Sequence, residues 1–254
     1  VKAVLDKRPS NRLLLAIGAF AAGFQLTAMA PASLAAALFG SVELTVAKAT
    51  GTIWDGKLVD ARLGGVALGD VTFSVKGLSL LTGGATAAIR LEGGAATGAG
   101  RVRATFGGIS LTDAHFEFDL GAARRYAFMG APLEGKLRGA VRELRVTKAG
   151  CVAADVDLWT DVLAAPARRL SGAPMDLTGG ASCADGSLIS TLSGDSADGS
   201  ARLKLAIAPD MTYTLDATAE PARAELGEAL RAFGFSQGEG AMSIAMSGAL
   251  RPGS

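Results

Sequence analysis

Residues 115–120 read His-Phe-Glu-Phe-Asp-Leu, apolar and polar side chains in strict alternation. Side chains of a β-strand point to opposite faces in turn, so Phe116, Phe118 and Leu120 fall on one side and His115, Glu117 and Asp119 on the other. The same period extends outward in both directions. Val42, Leu44 and Val46 alternate with Glu43, Thr45 and Ala47; Val71, Phe73 and Val75 with Thr72, Ser74 and Lys76; Val102, Ala104 and Phe106 with Arg101, Arg103 and Thr105. It returns at Leu203, Leu205 and Ile207, at Tyr213, Leu215 and Ala217, and at Met242, Ile244 and Met246. One face is apolar and the other wet, which is the pattern of antiparallel strands joined by Gly, Asp and Ser turns. The 34 glycines, most of them between such runs, fit many short strands. The fold class is mainly β.

One segment breaks the rhythm. Residues 221–235 place Leu226, Ala229, Leu230 and Phe233 at helical spacing after Pro221, which predicts an amphipathic helix against the sheet. Residues 56–83 also resemble residues 139–172 in strand phase and glycine placement, so two sheet modules are expected, 41–130 and 131–254.

The amino-terminal region has a different character. Lys2, Lys7, Arg8 and Arg12 precede a run from Leu13 to Ala30 without an ionisable residue. As a helix, at about 1.5 Å per residue, the run spans roughly 27 Å, close to a bilayer's hydrocarbon core. Positive charge before the run and none after it until Lys48 orients residues 1–12 to the cytoplasm and the sheet outside, which in a bacterium is the periplasm. The competing reading is a cleaved signal peptide ending at Ala28-Met29-Ala30, but Pro31 would obstruct the cut and the run is long for a signal core. The expectation is a membrane anchor at 13–30 followed by a short juxtamembrane helix at 31–40. Cys151 and Cys183 are the only cysteines. An even count in an oxidising compartment invites one disulfide, against the alternative of two buried thiols.

Charge and motifs exclude several functions. With 25 Lys and Arg against 24 Asp and Glu, the net charge of +1 gives no pull on a polyanion, and no basic stripe interleaved with aromatics suggests nucleic acid. His115 is the sole histidine and reads as a solvated strand-face residue, since too few partners exist for a metal site. There is no nucleophile elbow, no HExxH, no phosphate loop and no calcium-loop spacing. Asp155 and Asp157 share a face with Trp159; the group could take a sugar or another polar ligand, though an exposed edge with an interface tryptophan is the simpler reading. No enzyme, cofactor or metal is expected.

Residues 50–58, Thr-Gly-Thr-Ile-Trp-Asp-Gly-Lys-Leu, contain Gly51, Thr52, Trp54 and Gly56 in a GT-x-W-x-G arrangement about twenty residues after the apolar run. Together with LEGKLRGAV at 133–141, Asp157-Leu158-Trp159, SGDSADGSARLKLAI at 193–207 and GEGAMSIAMSGAL at 238–250, taken in that order, the chain resembles protein N of the bacterial type II secretion system. It departs from the family at Phe73, where a second tryptophan is frequent, and in beginning at a valine. The resemblance implies a non-enzymatic inner-membrane component whose partners are other inner-membrane secretion proteins. That family is in turn similar to AsmA-type envelope proteins, whose β grooves are linked to lipid handling. The alternative function is therefore lipid binding or transfer along an apolar groove. Within the signature, Trp54 reads as a packing anchor at a strand joint rather than a stacking platform for a ligand, with Asp55-Gly56 forming the hairpin turn.

Overall fold

The computed structural model describes residues 44–249, apart from 64–65, 78, 80–82, 123–126, 129–130, 133, 170 and 239. The expected anchor at 13–30 and its flanking pieces lie outside the described residues. Among the described residues no helix is long and apolar enough to cross a membrane.

The chain forms an antiparallel meander. Its strands are β1 (Leu44–Thr45), β2 (Lys48–Gly51), β3 (Asp55–Leu63), β4 (Val66–Lys76), β5 (Gly84–Gly93), β6 (Ala96–Thr105) and β7 (Gly108–Asp119). After β8 (Ala127–Phe128) and β9 (Ala131–Pro132) come β10 (Lys136–Thr147), β11 (Gly150–Thr160), helix α1 (Ala164–Arg169), β12 (Leu177–Ala184), β13 (Ser187–Ser196), β14 (Gly199–Ile207) and β15 (Thr212–Pro221). Helix α2 (Ala224–Ala232), β16 (Ser236–Gln237) and β17 (Met242–Ala249) close the chain. Among the described residues all strands but β8 and β9 join one sheet of fifteen, and β8 pairs with β9. The sheet runs unbroken across the expected module boundary, because β7 and β10 register from Lys136 opposite Asp119 to Thr147 opposite Gly108.

The two ends of the strands differ. At one end lie tight turns, such as Thr105–Gly108, Thr147–Gly150 and Ala184–Ser187. At the other, beside the tight turns Gly93–Ala96 and Ser196–Gly199, lie the longer connections that hold β8–β9, α1 and α2. The chain enters at that second end, where Leu44 opposes Leu63.

Because the alternation keeps phase, one apolar row crosses twelve strands. It passes from Leu58 through Val71, Leu91, Phe116, Leu158, Leu192, Leu203 and Ala217 to Ile244, each step a direct cross-strand pair or one glycine removed. Leu58, Leu192, Val141, Val156 and Leu177 are buried, while much of the row is half-buried. Strands two apart, β4 with β6 and β11 with β13, come within 8 Å at their Cα atoms. A flat sheet would hold them about 9.6 Å apart, so the sheet bends and crowds its side chains there.

Helix α2 covers one end of the apolar face, where Ala217, Phe235 and Met242 form a buried cluster against Leu230 and Ile244. The sequence expectation was close but shifted. Pro221 is the last residue of β15 rather than the helix start, and Phe235 is buried while Phe233 is 44% exposed. Phe106, expected on the apolar face, lies beyond the end of β6.

Candidate functional site

The GT-x-W-x-G stretch is a tight joint whose residues are chosen by geometry. Gly51 adopts a φ of 85°, and a Cβ there would run into the Asp55 carbonyl oxygen, so both space and backbone demand glycine. Thr52 donates its N–H to the Asp55 carbonyl at 2.9 Å, and its Oγ1 accepts the N–H groups of Trp54 at 3.3 Å and Asp55 at 3.2 Å. The turn thus spans Thr52–Asp55. Asp55 and Gly56 already belong to β3, with Gly56 opposite Gly51, which corrects the expected Asp55-Gly56 turn. At Gly56 a Cβ would stand 2.5 Å from Cζ of Phe73 and 2.8 Å from the Thr52 carbonyl. Trp54 is half-buried, its carbonyl accepts the Val75 N–H at 2.6 Å, and its ring lies beside Gly77.

Cys151 and Cys183 are joined as a disulfide with Cα atoms 5.4 Å apart, tying the start of β11 to the end of β12. Cys151 is buried.

The polar face has a trough of about 710 Å³ across β5, β6, β7, β10 and β11. One bank is the cross-strand row Thr97, Glu117, Arg138, Trp159; the other is Arg90, Ala99, His115, Ala140, Asp157. Between the banks the backbone at Gly98 and Gly139 forms the floor. Small side chains at Ala99 and Ala140 leave it open.

The trough's charges are held by neighbours on adjacent strands. Glu117 accepts from Lys136 Nζ at 2.6 Å and Arg138 Nε at 2.7 Å, and these bonds, Lys136's first, hold its carboxyl below the usual range. The Arg138 guanidinium sits 4.6 Å from the Trp159 ring centre as a cation–π contact. Arg142 forks onto both aspartates singled out in the sequence, with two bonds to Asp155, at 2.6 and 2.5 Å, and two to Asp157, at 2.6 and 3.4 Å. The bonds from Arg142 lower the Asp155 carboxyl, and those to Asp155 and then Asp157 raise the Arg142 guanidinium further. Each shift favours the charged form. Such carboxylates hold charge and geometry and are poor proton donors at neutral pH. Exposed His115 lines the trough without joining this ion-pair set. Among the described residues no group of three or more His, Cys, Asp or Glu side chains could hold a metal ion.

A family model described as "Type II secretion system (T2SS), protein N" matches residues 42–245. The chain belongs to the type II secretion protein N family. No curated protein and no solved structure matches it.

In this protein N chain the match spans β1 to β16 entirely and the start of β17, so what the family model covers is the sheet itself. Asp155, Asp157 and Trp159 do share a face, as alternation demands. Sequence reading missed Arg138 and Arg142, the groups that engage them, and did not join Glu117 to Arg138. A signal was present: β10 carries Lys136, Arg138, Arg142 and Arg145 opposite the acidic run of β11, and opposite charges on neighbouring strands attract.

Proposed function

We propose that this component of the type II secretion system is a non-catalytic scaffold of the inner membrane. It is anchored once by residues 13–30 with its amino terminus cytoplasmic, and its sheet stands in the periplasm to support export of folded proteins across the outer membrane. The observation that supports this reading is the coincidence of the family match, 42–245, with one continuous sheet whose polar face is laced by cross-strand ion pairs. Such a sheet offers a preformed surface on which inner-membrane secretion proteins could assemble without an ordering cost.

The test uses the full chain in its native host, with photo-crosslinking residues at Thr97, His115 and Ala140 along the trough. Expected are crosslinks to inner-membrane secretion proteins, together with loss of secretion when the gene is deleted. Normal secretion without the protein would refute the role, and protease protection of the sheet in spheroplasts would refute its periplasmic placement.

A second reading rests on the apolar row, much of which stays half-buried without a covering layer of the described residues. On that reading the face takes acyl chains. Native mass spectrometry of the full chain, after exchange into a detergent unlike any lipid, should then show phospholipid adducts that survive washing; a bare protein would remove this alternative.

A further inference from the structure

We propose that the tip of the β6–β7 hairpin, led by Phe106, is a membrane-docking point that settles on an anionic phospholipid surface. Alternation along β6 would place Phe106 on the apolar face with Val102 and Ala104, yet the strand ends at Thr105 and Phe106 is 100% exposed. Phe106 and Gly107 make up the two-residue turn, with Thr105 opposite Gly108. Just behind the tip, Ile109 is 57% exposed and pairs with Val146, which is exposed as well.

On the opposite face a single cross-strand row runs Lys76, Thr86, Arg103, Ser110, Arg145. The row holds three cations and no carboxylate, and Lys148 sits in the neighbouring β10–β11 turn. Glu143, two residues along the strand, pairs with Arg145. A protruding phenylalanine with apolar neighbours behind it and cations beside it matches the interfacial region of a bilayer, where rings enter the acyl boundary and lysines meet anionic headgroups. A convex two-residue tip offers little area to a protein, whose stable interfaces need about 800 Å² from each side. A bilayer deforms around it.

The tip is remote from where the chain enters. Leu44 opposes Leu63 at the other end of the strands, and twelve-residue β7 spans about 40 Å. The contact does not rest on the scaffold reading.

The test places an environment-sensitive fluorophore on Phe106→Cys in the full chain, where Cys151 and Cys183 are bridged and leave the new thiol for labelling. A control carries the label on Ala197→Cys, in the β13–β14 turn at the opposite end. Vesicles of phosphatidylcholine with phosphatidylglycerol should raise the emission at 106, acyl-brominated lipid should quench it, and salt should reverse both. Lys76→Glu with Lys148→Glu should weaken the response roughly tenfold or more. The label reports on the tip alone, whatever else of the chain holds to lipid. The proposal is overturned if the label at 106 stays in water on these vesicles, if pure phosphatidylcholine works equally well, or if position 197 responds as strongly. Shielding of position 106 by soluble polyglutamate but not by vesicles would overturn it in favour of an acidic protein partner.

Discussion

The ring of Phe116 lies over Gly139 on the neighbouring strand, so close that a Cβ on Gly139 would overlap Cε1 and Cζ of the ring and come within 3.2 Å of Leu158 Cδ2. A large side chain on β7 thus fills the space that a missing one on β10 leaves, in the middle of the apolar row. Gly139→Ala should destabilise the sheet by about 1–3 kcal/mol through overpacking. At about 2–4 °C per kcal/mol for a chain of this size, the change is easily read in a thermal melt. Phe116→Leu in the Gly139→Ala background should recover part of the loss, and strictly additive effects would show that the two residues do not press on each other.

The joint at 51–56 makes a graded prediction. Thr52→Ala removes an acceptor for two backbone N–H groups and should cost about 1 kcal/mol, while Thr52→Ser should be near neutral. Trp54→Ala should cost about 2–3 kcal/mol, less than the 3–5 of a fully buried aromatic, because the ring is only half-buried. Equal melting temperatures for Thr52→Ala and Thr52→Ser would remove the hydroxyl from the argument.

The disulfide closes a separation of 32 residues. Cys151→Ser with Cys183→Ser should lower stability by about 3–4 kcal/mol on the chain-entropy account. Denaturant titration of the intact protein, with and without reductant, should show the same difference. An unchanged midpoint on reduction would contradict it.

The pH dependence follows from Glu117 and Asp155, both held below their ordinary values by Lys136 with Arg138 and by Arg142 respectively. A depressed folded-state pKa stabilises above the unfolded value and loses that contribution as pH falls through the folded one. Stability should therefore be flat near neutrality and fall once pH drops below about 4. Melts of the Glu117→Gln, Asp155→Asn double variant should show a shallower acid decline, and salt should shrink the difference because these pairs are exposed. Parallel acid curves for the two proteins would refute the assignment.

Asp198 links three elements, accepting the Ala173 N–H that follows α1 and pairing at 2.9 Å with Arg223 Nε just before α2. Asp198→Ala should cost about 1–3 kcal/mol, since it strips the partner from a partly buried guanidinium. Arg223→Met with Asp198→Ala together should cost less than Asp198→Ala alone. The reverse order would deny the pairing.

Much of this molecule was legible in the residues. The alternation around His115–Leu120 assigned Phe116 and Phe118 to one face and Glu117 to the other, and the lone cysteine pair pointed to its bridge. Phe106 was misplaced because alternation does not say where a strand stops: the Gly107-Gly108 pair ends it one residue sooner. Helix α2 was found but shifted, since Pro221 suits the end of a strand as well as the start of a helix.

Within each uninterrupted run, sequence alone determined which side of the sheet the alternating side chains take, since period two is a local property of extended backbone. Only the tertiary structure decided which residues meet across that side. Arg138 lies between Glu117 and Trp159 because β10 returns to β7 past the β8–β9 excursion in one register, and a slip of one residue would send every side chain of β10 to the other face. Near Asp113, at a φ of 48°, and Arg142, which is skipped in both registers of β10, the strands carry irregularities that reset that phase. Arg142 is thereby aimed at both Asp155 and Asp157. The chain's local alternation contains no term for such non-local register, so the trough exists only once the sheet is assembled.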